Sequence, residues 1–117
     1  MSGLVNHLSG EAAESQVARH YATRGLTIVA RRWRGKGGEI DLIAHDGEST
    51  VFVEVKKGRN HALAVERLSQ RQIRRLYDAA AEYLGTLPDG LNSAARFDVA
   101  LVDGMGRIDI VENALCA

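Results

Sequence analysis

Apolar residues recur along this chain in two periods. Ala13, Val17 and Tyr21 repeat every four positions and predict a helix over 9–24. Ser9 is its candidate N-cap and Gly25 its natural stop. Glu11 and Glu14 then fall in the first turns, where a helix dipole favours acids. "LTIVARRWR" reads as a strand ending in a basic patch. Alternating runs over 38–45 and 50–57 flank Asp46-Gly47 and predict a hairpin. Residues 58–66 have no regular pattern and read as a loop. From Ser69 to about Leu84 the four-residue period returns, with Ile73, Leu76, Ala80, Tyr83 and Leu84 on the buried side and Gly85 and Pro88 as terminators. "ARFDVALV" and "GRIDIVE" are two last strands around an Asp103-Gly104 turn. The order α-β-β-β-α-β-β predicts an α/β protein with a mixed sheet flanked by helices, not a regular βαβ repeat.

Polar residues interrupt this pattern most sharply in the hairpin. Glu39, Asp41 and Glu54 lie in its strands, where carboxylates are depleted. Strand side chains alternate, so Glu39, Asp41 and Ile43 share one face and Ile40, Leu42 and Ala44 the other. On the second strand Phe52, Glu54 and Lys56 oppose Val51, Val53 and Val55. A two-residue turn sets Glu39 opposite Glu54. A four-residue loop sets Asp41 opposite Glu54 and Glu39 opposite Lys56. Both place Glu39, Asp41, Glu54 and Lys56 on one face, whereas a three-residue loop or a bulge separates them. Like charges so opposed destabilise a sheet. Lys56 supplies one counter-charge, and a hard divalent cation, Mg2+ or Mn2+, supplies more. Such an ion activates water and neutralises charge developing on a phosphate, with Lys56 orienting that water or stabilising the transition state. The plain alternative is a solvated face with a Glu54–Lys56 or Glu39–Lys56 ion pair. Against it, "TVFVEV" is apolar on both faces apart from Glu54, and a buried charge needs a partner or a metal.

Size and charge narrow the classes. A chain of 117 residues, 45% of them hydrophobic, suggests one domain over 1–117. No apolar run is long enough to span a membrane, and "MSGLVNHLSG" lacks the features of a signal peptide. The one cysteine, Cys116, cannot form an internal disulfide, so the cytoplasm is the default location. Net charge is zero, which argues against a strongly basic binder. Yet residues 19–75 carry +7, against −2 before them and −5 after. The middle of the chain can therefore present a basic face to phosphates. Trp33 reads as a core or rim residue, with base stacking as the alternative. Tyr77 and Tyr83 read as packing residues, and Glu14 as a solvated helix residue. His7, His20, His45 and His61 lack metal-ligand spacing and read as surface or packing residues.

"GGEIDLIAHDG" followed by "VFVEVK" resembles the YraN-like family of small bacterial proteins, itself similar to Holliday junction resolvases and the PD-(D/E)XK nuclease superfamily. "SGEAAESQVARHYATRGLTIVARRWR" and "RFDVALV" extend the resemblance over most of the chain. It implies a restriction-endonuclease-like fold and a metal-dependent endonuclease acting on DNA, including branched or structured DNA. It implies Asp41, Glu54 and Lys56 as catalytic residues, and Glu11, Asp41 and Glu54 as ligands of Mg2+ or Mn2+. Glu39 and Gln72 would be accessory residues. Arg31, Arg32, Arg34, Lys36, Lys57, Arg59, Arg71, Arg74 and Arg75 would track phosphates. Resolvases act as dimers, because a junction needs two symmetric cuts, so a homodimer is also implied, although no interface signature stands out in the sequence. Three departures bear on substrate contacts. Lys57-Gly58-Arg59 displaces an arginine by one position, Gln72 stands where many members have lysine, and His61 replaces an aromatic residue. Gln72 and the zero net charge also suit a second reading, a nucleic-acid-binding module with little or no catalytic activity. A third is a protein-interaction domain that binds neither metal nor DNA.

Overall fold

A computed structural model describes residues 2–58 and 69–114, with side chains from Gly10 onward. The chain runs α1 (Ser2–Thr23), β1 (Thr27–Arg34), β2 (Glu39–His45), β3 (Thr50–Lys57), α2 (Gln70–Leu84), a 3-10 turn (Gly90–Asn92), β4 (Ala95–Val102) and β5 (Ile108–Val111). This is the expected order. The five strands form one sheet in sequence order, antiparallel except for the parallel β3–β4 pair that α2 connects. Among the described residues no helix is long and apolar enough to cross a membrane.

The two helices cover opposite faces of the sheet. Ala13, Val17, Ala18 and Tyr21 of α1 pack on Leu42, Ala44, Val51, Val53, Ala100 and Val102. Leu76, Ala79, Ala80 and Leu84 of α2 pack on Ile40, Ile43 and Phe52, with Trp33, Tyr83 and Phe97 at the margin. Tyr83 sets its ring edge-on to Trp33 at 5.6 Å and to Phe52 at 5.9 Å, so Trp33 belongs to the rim of this core.

Two helix boundaries carry corrections and confirmations. α1 starts at Ser2 and not at Ser9, so Ser9 is no N-cap, and Glu11 and Glu14 lie mid-helix, beyond the reach of the N-terminal dipole. Gly25 ends α1 as expected, at φ +90°, a conformation open to glycine. α2 opens with a capping box: Ser69 Oγ accepts from the Gln72 N–H at 3.1 Å, and Gln72 Oε1 accepts from the Ser69 N–H at 3.2 Å.

One polar network ties α1 to the sheet. Asp98 is fully buried and accepts from the Tyr21 hydroxyl (2.8 Å), Arg96 Nε (3.1 Å) and the Asn113 N–H (3.0 Å). Burial and the Asp98 charge push the Tyr21 phenol well above its ordinary range. Removing that hydroxyl leaves a buried carboxylate short of a donor. Tyr21→Phe should therefore lower unfolding stability by about 1–3 kcal/mol, read as a shift of the urea midpoint with an unchanged slope. An unchanged midpoint would mean that Arg96 and Asn113 satisfy Asp98 alone.

Candidate functional site

The hairpin adopts the longer of the two expected loops. Asp46 organises it, with Oδ1 accepting from the Glu48 and Ser49 N–H groups at 2.9 and 2.7 Å, and Gly47 takes φ +98°. These bonds hold the Asp46 carboxyl down at about 2. His45 therefore pairs with Thr50 and Leu42 with Val53, and the same register sets Asp41 opposite Glu54.

The ladder between β2 and β3 stops at Leu42–Val53. Beyond it, Asp41 Oδ2 accepts the Val55 N–H at 2.8 Å, standing where a β2 carbonyl would otherwise stand. The neighbouring strand is irregular too. Arg32, flanked by the Arg31–Leu42 and Trp33–Ile40 pairs, takes φ +48°. Strict alternation fails here: Ile40, expected beside Leu42 and Ala44, joins Ile43 in the α2-side core. The change falls where the β2–β3 ladder ends and opposite the left-handed backbone of Arg32.

This break brings the acids together. The Asp41 and Glu54 carboxyls hydrogen-bond to each other, and Lys56 Nζ lies 3.6 Å from Glu54 Oε1. The Glu54 side chain is only 16% exposed. Burial, reinforced by the Asp41 charge, pushes Glu54 up to about 8 against Lys56, and burial also raises Asp41 despite its bond from Val55. A carboxyl pair sharing a proton in a half-dry site is short of positive charge. Its all-oxygen donor set suits a hard cation such as Mg2+, which commonly takes one or two carboxylates and keeps several waters.

The α1 acid that influences this pair is Glu14. Its charge acts on Asp41, its side chain is 19% exposed, and Arg32 grips it through Nε at 3.0 Å and Nη2 at 3.3 Å. Glu11, expected in this place, is exposed one turn earlier. Glu14 is not the solvated residue it seemed. The helical period does not separate the two acids, since Glu14 shares a face with Val17, Ala18 and Tyr21 and Glu11 shares one with Glu14, Ser15 and Ala18. Among the described residues no three His, Cys, Asp or Glu side chains form a ready metal cluster.

A cavity of about 170 Å3 opens beside Glu54, lined by Gly38, Glu39, Gln72, Arg75 and Leu76. Both accessory residues thus reach the site, although Gln72 uses its carbonyl oxygen in the helix cap and Glu39 pairs with Arg34 at 3.1 Å. The β1–β2 turn is pressed against α2. A Cβ on Gly37 would stand 2.8 Å from Asp78 Cβ, and one on Gly38 would stand 3.3 Å from the Arg75 carbonyl oxygen. Glu82 Oε2 accepts the Lys36 N–H at 2.8 Å. Lys36 in this turn and Arg71, Arg74 and Arg75 on α2 are all exposed. The other expected cations are placed differently. Arg31 donates to Ser15 Oγ at 3.3 Å, and Arg32 and Arg34 are paired with acids. Lys57 lines a separate cavity of about 510 Å3 against Ala12, Gln16 and Met105. Arg59 and His61 lie outside the described residues, as does the His7 side chain. His45 Nδ1 accepts the Gly47 N–H at 2.9 Å, and His20 meets Tyr21 edge-on at 6.1 Å.

Residues 13–102 match the model of the uncharacterised protein family UPF0102. The chain belongs to this family. The match begins at Ala13, so it includes Glu14 and leaves Glu11 outside. A UPF0102 protein of Cereibacter sphaeroides is 57% identical over 117 residues, the full length of both chains. One of Ruegeria pomeroyi is 60% identical over 112 residues, 96% of this chain and 91% of the relative. A third, of Dinoroseobacter shibae, is 46% identical over 106 residues, 91% and 79% respectively. UPF0102 is the YraN-like family to which the motifs pointed.

The carboxyl pair sets a pH dependence. A folded-state value of about 8 against an ordinary 4.5 means that neutral Glu54 stabilises the fold fully below about 4.5. That contribution is lost as pH rises through about 8. In the absence of divalent cations the protein should melt several degrees lower at pH 9 than at pH 6, and Glu54→Gln should flatten most of that decline. Parallel melting curves for the two proteins would place Glu54 in water.

Proposed function

We propose that this UPF0102 protein is a metal-dependent endonuclease that hydrolyses phosphodiester bonds of DNA. The observation that carries the reading is the hydrogen-bonded Asp41–Glu54 carboxyl pair with Lys56 3.6 Å away, at the wall of a cavity that Arg75 also lines. Strongly shifted, partnered titratable groups beside a cavity mark functional sites. Asp41 and Glu54 would hold Mg2+ or Mn2+, with Glu14 contributing from α1. The bound ion would lower the pKa of its water and offset charge on the phosphate.

The chain's own groups do the rest. Val55 fixes the Asp41 carboxylate through its N–H, so one donor direction is set before substrate arrives. Glu54, once deprotonated, leaves the Lys56 ammonium at its side to orient the attacking water or to donate to the phosphate oxygen that gains charge. Arg75, with Arg71, Arg74 and Lys36, forms a basic border that holds the DNA backbone without reading sequence. Branched DNA is the substrate class that the likeness to resolvases singles out. The alternative of a binding module with little activity draws on Gln72, whose oxygen is committed to the α2 cap.

Incubation with Mg2+ or Mn2+ and duplex, flap and four-way-junction DNA tests this. Cleavage should appear on at least one substrate and fall about a hundredfold or more in Lys56→Ala. Binding that survives Asp41→Asn without any cleavage favours the module. Arg75→Ala should weaken DNA binding uniformly across sequences and reduce the salt slope by about one. Equal binding by this variant would remove α2 from the interface.

A further inference from the structure

Arg32 departs from its surroundings in both backbone and side chain. It sits in β1 at φ +48°, a left-handed conformation that glycine and asparagine tolerate and that arginine adopts at a cost. The register flanks it with Arg31–Leu42 and Trp33–Ile40, which puts it across the strand from Asp41. Its guanidinium holds both carboxylate oxygens of Glu14, at 3.0 and 3.3 Å, and feels Glu11 and Glu39 as well. The acidic side of the site therefore already contains a cation, supplied by the chain, on the acid nearest to Asp41 from the helix.

Resting on the cation-site reading above, we propose that Arg32 is a clamp that competes with the divalent cation for Glu14. A bidentate guanidinium takes one lone-pair site on each oxygen and fixes the carboxylate plane, so Glu14 cannot reorient toward a metal without breaking a charge-assisted bond. In the clamped state Glu14 is withheld and the site offers Asp41 and Glu54 alone, in keeping with the lack of a three-ligand cluster among the described residues. When the clamp opens, Glu14 is free to join them. Arg32 thereby lowers cation affinity while it neutralises the acids of the empty site. The strained backbone suits this role, because a position selected only for folding would favour asparagine or glycine.

Calorimetric titration with Mn2+ at pH 8 of the full chain, Arg32→Asn, Arg32→Lys and Glu14→Gln tests the clamp, with melting curves taken without cation. Arg32→Asn should bind Mn2+ about two- to fivefold more tightly than the wild type, the range that an exposed ion pair commands. It should also melt no lower, since asparagine relieves the backbone. Arg32→Lys, which keeps the charge but not the fork, should fall between. The gain should vanish in Arg32→Asn combined with Glu14→Gln. Binding by Arg32→Asn where the wild type is silent would support the clamp most strongly. Should the wild type bind and both Arg32 variants bind equally or more weakly, the clamp is overturned and the cation site stands. If none of these proteins binds Mn2+, the cation-site reading fails and the clamp fails with it.

Discussion

The hydrogen bond from the Val55 N–H to the Asp41 carboxylate is the contact on which the site depends. A strand pair normally continues until its backbone donors run out. Here a side chain takes over one donor after Leu42–Val53, so β2 and β3 part without leaving a buried N–H unsatisfied. The parting lets Asp41 meet Glu54 in the sheet instead of standing on its surface. It also turns Ile40 toward α2, where it packs with Leu76 and Ala79. One polar contact thus sets the end of the ladder, the acid pair and part of the core.

The contrast with Asp98 shows why the Asp41–Glu54 pair stands apart. Asp98 is the more deeply buried acid, yet a phenol, a guanidinium and a backbone amide all donate to it. A buried charge with that many partners is a structural anchor. Among the described residues Asp41 and Glu54 have one backbone donor, one lysine and each other. Burial raises both carboxyls above their ordinary range. The strong shift of such acids beside a cavity is what supports the functional reading proposed for them.

The surroundings of the pair are arranged by close packing as much as by charge. Gly37 and Gly38 let the β1–β2 turn lie against α2, which leaves no room for a side chain between them. That contact sets Arg75 over the cavity. The Ser69–Gln72 cap fixes where α2 begins, and hence which of its side chains overlook the sheet. The same residues that read as nucleic-acid contacts in sequence divide into two groups in space. Among the described ones, Arg75 lines the cavity and Arg71 and Arg74 are exposed on α2, whereas Arg32 and Arg34 pair with acids and Arg31 and Lys57 lie toward α1.

Local pattern determined much of this protein. The element order, both faces of β3, the turn at Asp103 and the Gly25 stop follow from periodicity and from residues with special backbone freedom. The motif acids Asp41 and Glu54 were legible because strands rarely carry carboxylates, although the alternation that put them on one face does not hold before Leu42. The four-residue loop is a local choice, made by the Asp46 side chain on the Glu48 and Ser49 amides, but the break at Asp41 is tertiary. Tertiary structure alone preferred Glu14 to Glu11, since the choice depends on where α1 crosses the sheet, and it alone brought Arg32 to Glu14. Periodicity states which way a side chain points along its own element. Which charge meets which is a distance between elements, and only their packing sets it.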